Sequence, residues 1–433
     1  MDATTIALSF AIMLAMILLG LPIAVIMVLM GVVGGLLTFG WPLVESIGPV
    51  VWGVQNENIL TAIPLFILLG EILLRCGIAD KMYAALSLWV GRLPGGLLHT
   101  NIGCCALFAA TSGSSIATAA TIGTVALPAL NERRYPARQA LGSLAAGGTL
   151  GILIPPSVNL LVYGSLTNTS IGQLFVAGIV PGILLTLVFT AYIALSNLRT
   201  TPTQSGASVP LGERLRALGH LVPPVVVFVI VMGSIYFGIA TPTESAALGV
   251  VVALLLAWRE GRMSLGFLQH CFVQTARTTG MVLLIITAAF VLNVTLALLG
   301  VAQALTAWVT SLGLSATELL LALIVFYLLL GMFMDVLSMQ VLTIPVAVPV
   351  VTQVGIDPIW FGIFIVLMCE LGMITPPVGM NLYVVQGVRP GGGDFSDVIW
   401  GALPFAILMI AFTGLLILAP DLALWLPRTM IGP

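Results

Sequence analysis

The chain has 433 residues, of which 14 are Lys or Arg and 16 are Asp or Glu, so only 7% are charged. Apolar residues make up 60%, and mean hydropathy is +1.18. Soluble domains carry roughly 25% charged residues, so a water-soluble domain, a disordered chain and a nucleic-acid binder are all excluded. What remains is an integral membrane protein whose apolar surface meets the lipid bilayer as well as its own core. The net charge of −2 leaves no basic patch for a polyanion. The five cysteines form no CxxC pair and sit in or beside apolar segments. They are expected to be buried small side chains, not disulfides or zinc ligands.

The chain opens Met-Asp-Ala-Thr-Thr, without the basic region of a cleaved signal, so the first apolar stretch is expected to remain as structure. A membrane helix needs about 20 apolar residues. In chain order, apolar stretches fall near 4–19, 22–39, 58–75, 136–166, 172–197, 221–239, 243–258, 278–298, 358–387 and 397–420. Two more, 98–131 and 317–352, are broken in the middle by small or polar residues. Segments 80–93 and 301–312 have the mixed polarity of an interface. A polar run from Asn197 to His220 reads as a linker.

Positive charge orients this arrangement. With the linker in the cytoplasm, every basic residue except Arg428 falls inside, provided that 98–131 and 317–352 enter and leave on one side as re-entrant hairpins. The first hairpin then opens to the cytoplasm and the second outside, and both chain termini are periplasmic.

The two halves resemble each other. Leu150-Gly151-Ile152-Leu153-Ile154-Pro155-Pro156 corresponds to Leu371-Gly372-Met373-Ile374-Thr375-Pro376-Pro377, and the same offset takes Pro128 to Pro349. Gly77-Ile78-Ala79 matches Gly300-Val301-Ala302, and Gly178 and Pro181 match Gly401 and Pro404. Each half holds five crossings and one hairpin. An odd number of crossings inverts the second copy, as in secondary transporters whose sites lie near the membrane midplane. The expected fold is an all-α polytopic membrane protein of two inverted-topology repeats. The first spans 1–196, with its hairpin at 98–131 and a broken helix at 136–166. The linker takes 197–220, and the second repeat spans 221–433, with its hairpin at 317–352 and a broken helix at 358–387.

Four irregular places fall at membrane depth. The hairpin tips are Thr111-Ser112-Gly113-Ser114-Ser115 and Gly331-Met332-Phe333-Met334-Asp335, and the helix breaks are Gly151–Ser157 and Gly372–Gly379. Each Pro-Pro must end one half-helix and begin another. Unpaired carbonyls in hydrocarbon cost several kcal/mol each, so such breaks persist where protein, water or an ion satisfies them. Carbonyls and hydroxyls suit a monovalent cation such as Na⁺, and half-helix N-termini suit an anion. Each tip facing its own break is therefore a candidate cation site, with substrate between the two.

Thr111, Ser115, Pro156 and Pro377 border that space. Asn159, Tyr163, Asn381, Tyr383 and Gln386 follow the breaks and are candidates for substrate contact or for packing. Asp335 reads equally as a helix cap or a cation ligand. Glu370, deep in the membrane, reads as a functional acid or a hydrogen-bonded structural one. Glu71 and Arg75 form an i, i+4 pair, and Thr241-Pro242-Thr243-Glu244 has the form of a capping box. HExxH, GxSxG and a phosphate-loop lysine are absent, so no enzyme and no ATP-driven pump is expected.

Taken with the tips, Gly151–Ser157, Leu174-Phe175-Val176-Ala177-Gly178-Ile179-Val180-Pro181-Gly182, Thr241–Glu244 and Gly372–Gly379, the chain resembles the large membrane subunit of tripartite ATP-independent periplasmic (TRAP) transporters. The resemblance implies Na⁺-driven import of an organic acid (a C4-dicarboxylate, sialic acid or similar carboxylate) across the bacterial inner membrane, by an elevator motion. It implies two partners: a small four-helix membrane subunit, here expected as a separate chain, and a periplasmic substrate-binding protein. One Na⁺ site would involve Ser112, Ser114, Gly151, Ile154 and Pro155. The other would involve Gly331, Gly372, Thr375 and Val378. No cofactor beyond the coupling ion and no transition metal is implied. The alternatives are a self-sufficient Na⁺/dicarboxylate symporter of related architecture, whose tips tend to read Ser-Asn-Thr, an intramembrane enzyme, and a channel.

Overall fold

The computed structural model describes residues 3–198 and 210–430, and every regular element among them is helical. The inner part of the expected linker lies outside the described residues. Among the described residues, seven helices are long and apolar enough to cross a membrane, or up to nine if each bent pair counts as one span. Ala3–Leu18, Ile23–Phe39, Leu97–Ser112 and Pro358–Met373 are apolar but shorter.

One order of elements occurs twice. The first half runs through Ala3–Leu18, Ile23–Phe39, Ala62–Arg75, Ile78–Val90, Leu97–Ser112, Ser115–Glu132, Ala137–Leu153, Val158–Thr167 and Ile171–Ser196. The second runs through Val222–Tyr236, Pro242–Arg259, Leu265–Leu298, Val301–Ser311, Ala316–Gly331, Val336–Gln353, Pro358–Met373, Met380–Gly387 and Ser396–Leu418. Helix starts carry the caps their sequences encode. Ser114, Ser157, Ser170 and Ser264 each accept an amide of the next turn, and Thr241 with Glu244 forms a complete capping box. Arg75 and Glu71 pair at 3.1 Å, and all five cysteines are free and buried.

Three elements depart from the predicted stretches. Leu265–Leu298 begins well before the expected 278, because Gln269, His270, Gln274 and Arg277 lower its hydropathy without breaking the helix. Trp41–Gln55 is a helix despite Pro42 and Pro49; Pro42 stands in its first turn, where no amide partner is lost. Leu211–Leu218 forms a short helix inside the expected linker.

Both interrupted stretches fold back as hairpins. The Leu97 amide donates to the Tyr135 hydroxyl at 3.0 Å, whereas a continuous helix would hold residues so far apart in sequence roughly 55 Å apart. In the second hairpin the Tyr327 hydroxyl donates to Thr343 Oγ1 at 2.9 Å across the turn.

Two groups of helices follow from the packing. In one, Ile23–Phe39 lies on Leu265–Leu298, and Pro242–Arg259 lies on Ala62–Arg75. Small residues bring these backbones together: a Cβ on Gly31 would sit 3.0 Å from Leu292 Cα, and Thr295 donates to the Gly31 carbonyl at 2.8 Å. The other group gathers both hairpins and both broken helices. Every residue from Ala140 to Leu153 and from Trp360 to Met373 is buried, as befits helices that are apolar all round. They form the centre of the molecule.

Candidate functional site

Both helices break at their Pro-Pro pairs. Ala137–Leu153 gives way to Val158–Thr167 with a bend of 41°, and Pro358–Met373 gives way to Met380–Gly387. Pro155-Pro156 and Pro376-Pro377 are both cis.

The first tip meets the first break. Gly113 has φ +59°, a left-handed conformation that favours glycine, and a Cβ there would lie 2.8 Å from the Pro156 carbonyl oxygen. On Gly151 a Cβ would lie 2.7 Å from the Ser114 carbonyl oxygen and 2.8 Å from Ser115 Cα. The Ser112 and Thr118 hydroxyls bond at 2.8 Å, and Thr118 Oγ1 also reaches the Ser114 carbonyl at 2.8 Å. Gly178 lets Ile171–Ser196 approach the break, because a Cβ there would stand 2.6 Å from the Leu153 carbonyl oxygen. Ile154 and Pro156 are buried in this cluster, and Pro155 lies against Gly178.

The second tip meets the second break in the same manner. Gly331 and Gly372 touch through their backbones: a Cβ on either would lie 2.7 Å from the other's Cα. The Val378 amide donates to the Met332 carbonyl at 3.2 Å, and Thr375 Oγ1 donates to the Leu371 carbonyl at 2.6 Å. Asp335 caps Val336–Gln353, accepting the Ser338 amide at 3.2 Å and the Ser338 hydroxyl. Asp335 and Pro377 are exposed, whereas Thr111, Ser115 and Pro156 are buried.

The remaining candidates divide. Asn159 and Asn381 are both buried in the first turn after their breaks, and Asn381 Nδ2 donates to the Ala145 carbonyl at 3.4 Å. The Tyr163 hydroxyl donates to the Pro358 carbonyl at 2.6 Å, and its ring packs on Gly362. Tyr383 is half exposed, its ring 4.7 Å from that of Phe395. Gln386 donates to the Gly393 carbonyl at 2.8 Å. Glu370 is fully buried and accepts the Ser115 hydroxyl. Sequence reasoning missed Gly70, on which a Cβ would lie 3.0 Å from the Ser112 carbonyl oxygen, and the Met332 carbonyl. A glycine inside an apolar helix was the one signal for the former.

Among the described residues no group of three or more His, Cys, Asp and Glu could hold a metal ion. Chemically, the two clusters offer carbonyl and hydroxyl oxygens, the donor set that hard cations prefer.

Broken helices held against hairpin tips, inside an all-helical bundle with several membrane-length helices, define a multi-pass membrane transport protein. The family model described as "Tripartite ATP-independent periplasmic transporter, DctM component" matches residues 10–422, and the chain belongs to that family. It is 34% identical over 400 residues to the C4-dicarboxylate TRAP transporter large permease protein DctM of Pseudomonas aeruginosa, covering 91% of this chain and 92% of that protein. It is 35% identical over 353 residues to the isethionate TRAP transporter permease protein DctMQ of Oleidesulfovibrio alaskensis, covering 81% of this chain and 55% of that longer protein. The crystal structure of the YdaH transporter of Alcanivorax borkumensis shares the fold, with a TM-score of 0.63 at 15% identity, over 95% of this chain and 98% of that one. The family relatives are named as permease subunits, not enzymes.

Proposed function

We propose that this permease subunit imports a small organic acid into the bacterial cytoplasm, driven by Na⁺. The single observation that carries the reading is the pair of clusters, each a hairpin tip seated on its own Pro-Pro break. Backbone oxygens freed at a break need a partner, and a monovalent cation supplies one without a charged side chain. One Na⁺ binds among Ser112, Ser114, Gly151, Ile154 and Pro155, and another among Gly331, Gly372, Thr375 and Val378, with Asp335 at the rim. Substrate lies between them, near Thr111, Ser115, Asn159, Asn381, Pro156 and Pro377, with Tyr163 and Tyr383 further out. C4-dicarboxylate and isethionate, named for two relatives, are both compact anions, which fits recognition by half-helix N-termini.

The two halves are inverted copies about the cytoplasmic linker, with both termini periplasmic. The central helix group moves as an elevator against the group built on Leu265–Leu298. A periplasmic binding protein hands substrate over, and a small membrane subunit braces the outer group.

The test is uptake of a labelled dicarboxylate, sialic acid and isethionate into proteoliposomes holding this chain, its small subunit and binding protein. Uptake is expected only with an inward Na⁺ gradient. Full uptake with that gradient collapsed would remove the Na⁺ coupling, and uptake without the binding protein would favour a self-sufficient symporter.

A further inference from the structure

The two clusters are tied together across the halves of the chain. Ser115 follows the first tip directly, and its Cα lies against Gly151 at the first break. Glu370 stands two residues before Gly372, whose backbone touches Gly331 at the second tip. Ser115 Oγ donates to Glu370 Oε1, so one side-chain bond joins the first tip to the helix that carries the second break. Both residues are buried, with Ser115 1% and Glu370 0% exposed. A second tie runs parallel to it. Asn381, just past the second break, donates to the Ala145 carbonyl, and its Nδ2 lies 3.0 Å from where a Cβ on Gly148 would stand.

We propose that Glu370 is a positioning residue that couples the two tip-and-break clusters through its hydrogen bond with Ser115. The proposal rests on the reading of those clusters as cation sites. The first tip must settle on Gly151 to close the first cluster, and that movement carries Ser115. The buried helix Trp360–Met373 cannot bend to follow, because all its residues are packed. It shifts as a unit and moves Gly372 against Gly331. A buried hydrogen bond at the joint resists breaking, because the orphaned carboxyl oxygen would be left without water. Occupying one cluster therefore favours the closed form of the other.

Na⁺ titration of uptake by the assembled transporter tests this. The wild-type Hill coefficient is expected to exceed 1. Ser115→Ala and Glu370→Ala are expected to bring it toward 1 and to raise half-saturating Na⁺ about threefold or more, as loss of a buried hydrogen bond would. Glu370→Gln keeps an acceptor oxygen for Ser115 and is expected to retain the wild-type coefficient, whereas a purely structural role would leave the coefficient unmoved in the alanine variants as well. Where a variant no longer transports, binding of radiolabelled Na⁺ to the purified full chain reads the same coefficient. A wild-type coefficient of 1, an unchanged coefficient in both alanine variants, or Glu370→Gln behaving as Glu370→Ala would each overturn the coupling. Uptake indifferent to Na⁺ would remove the cation reading itself, a result distinct from Na⁺-dependent uptake with unaltered cooperativity.

Discussion

The amide of Val378 donates to the carbonyl of Met332 at 3.2 Å, so the second break and the second tip share a backbone hydrogen bond. Thr375 stands three residues before that bond, its hydroxyl turned back onto the Leu371 carbonyl. Thr375→Ala removes the one hydroxyl of this cluster that the Na⁺ reading uses. Half-saturating Na⁺ is expected to rise about fivefold, while stability changes by no more than about 1 kcal/mol. The measurement is a Na⁺ titration of uptake beside a thermal melt. Equal half-saturation in variant and wild type would take Thr375 out of the site.

Gly142 and Gly401 meet where the first broken helix crosses Ser396–Leu418. A Cβ on Gly142 would lie 2.1 Å from the Gly401 carbonyl oxygen, and one on Gly401 would lie 2.0 Å from that of Arg138. Backbone cannot move aside as a side chain can, so Gly142→Ala must push the helices apart. It is expected to destabilise the protein by about 3 kcal/mol. Gly414, on the same helix as Gly401, has nothing within 4 Å of its added Cβ. Gly414→Ala is therefore expected to stabilise by up to about 1 kcal/mol through helix propensity. Melting temperatures of the two variants in one detergent should move in opposite directions.

Much of this architecture is legible in the sequence, and what escapes is physically specific. The long apolar runs and both Pro-Pro breaks are found because hydropathy and the missing proline amide act locally. Residues 265–277 escape because polar side chains on a helix depress hydropathy while leaving its hydrogen bonds intact. The tips are legible from Ser112-Gly113-Ser114 and from Asp335, but their contacts are not. The Pro156 and Met332 carbonyls take part as backbone, which has no residue identity to read. The bond between Ser115 and Glu370 spans 255 positions, and nothing local in either segment announces it. Tyr163, at the right distance past a break, is turned to Pro358 by packing that only the folded chain defines.

Asp397 holds two arginines at once: Arg138 Nε at 3.2 Å and an Arg389 guanidinium nitrogen at 3.3 Å. The Arg389 side chain is 15% exposed and the Arg138 side chain 63%. Solvent screens the exposed pair, which leaves a worth of about 0–1 kcal/mol, and Arg389 also donates to the Asp394 carbonyl at 3.1 Å. Arg389→Ala is therefore expected to lower the melting temperature more than Arg138→Ala. High salt should widen the gap by weakening the exposed pair first. Equal effects would mean that burial does not govern this cluster.

The proposed inverted threading of the two halves underlies the reading of the paired sites, and single-cysteine labelling tests it directly. All five native thiols are buried, so a membrane-impermeant maleimide should report an introduced cysteine alone. Arg134 lies at the mouth of the first hairpin and Gly355 at the mouth of the second. In intact cells Gly355→Cys is expected to react from the periplasm, while Arg134→Cys should react only after the cytoplasmic face is opened. Labelling of both cysteines from the same compartment would contradict the inversion and, with it, the pairing of the two sites.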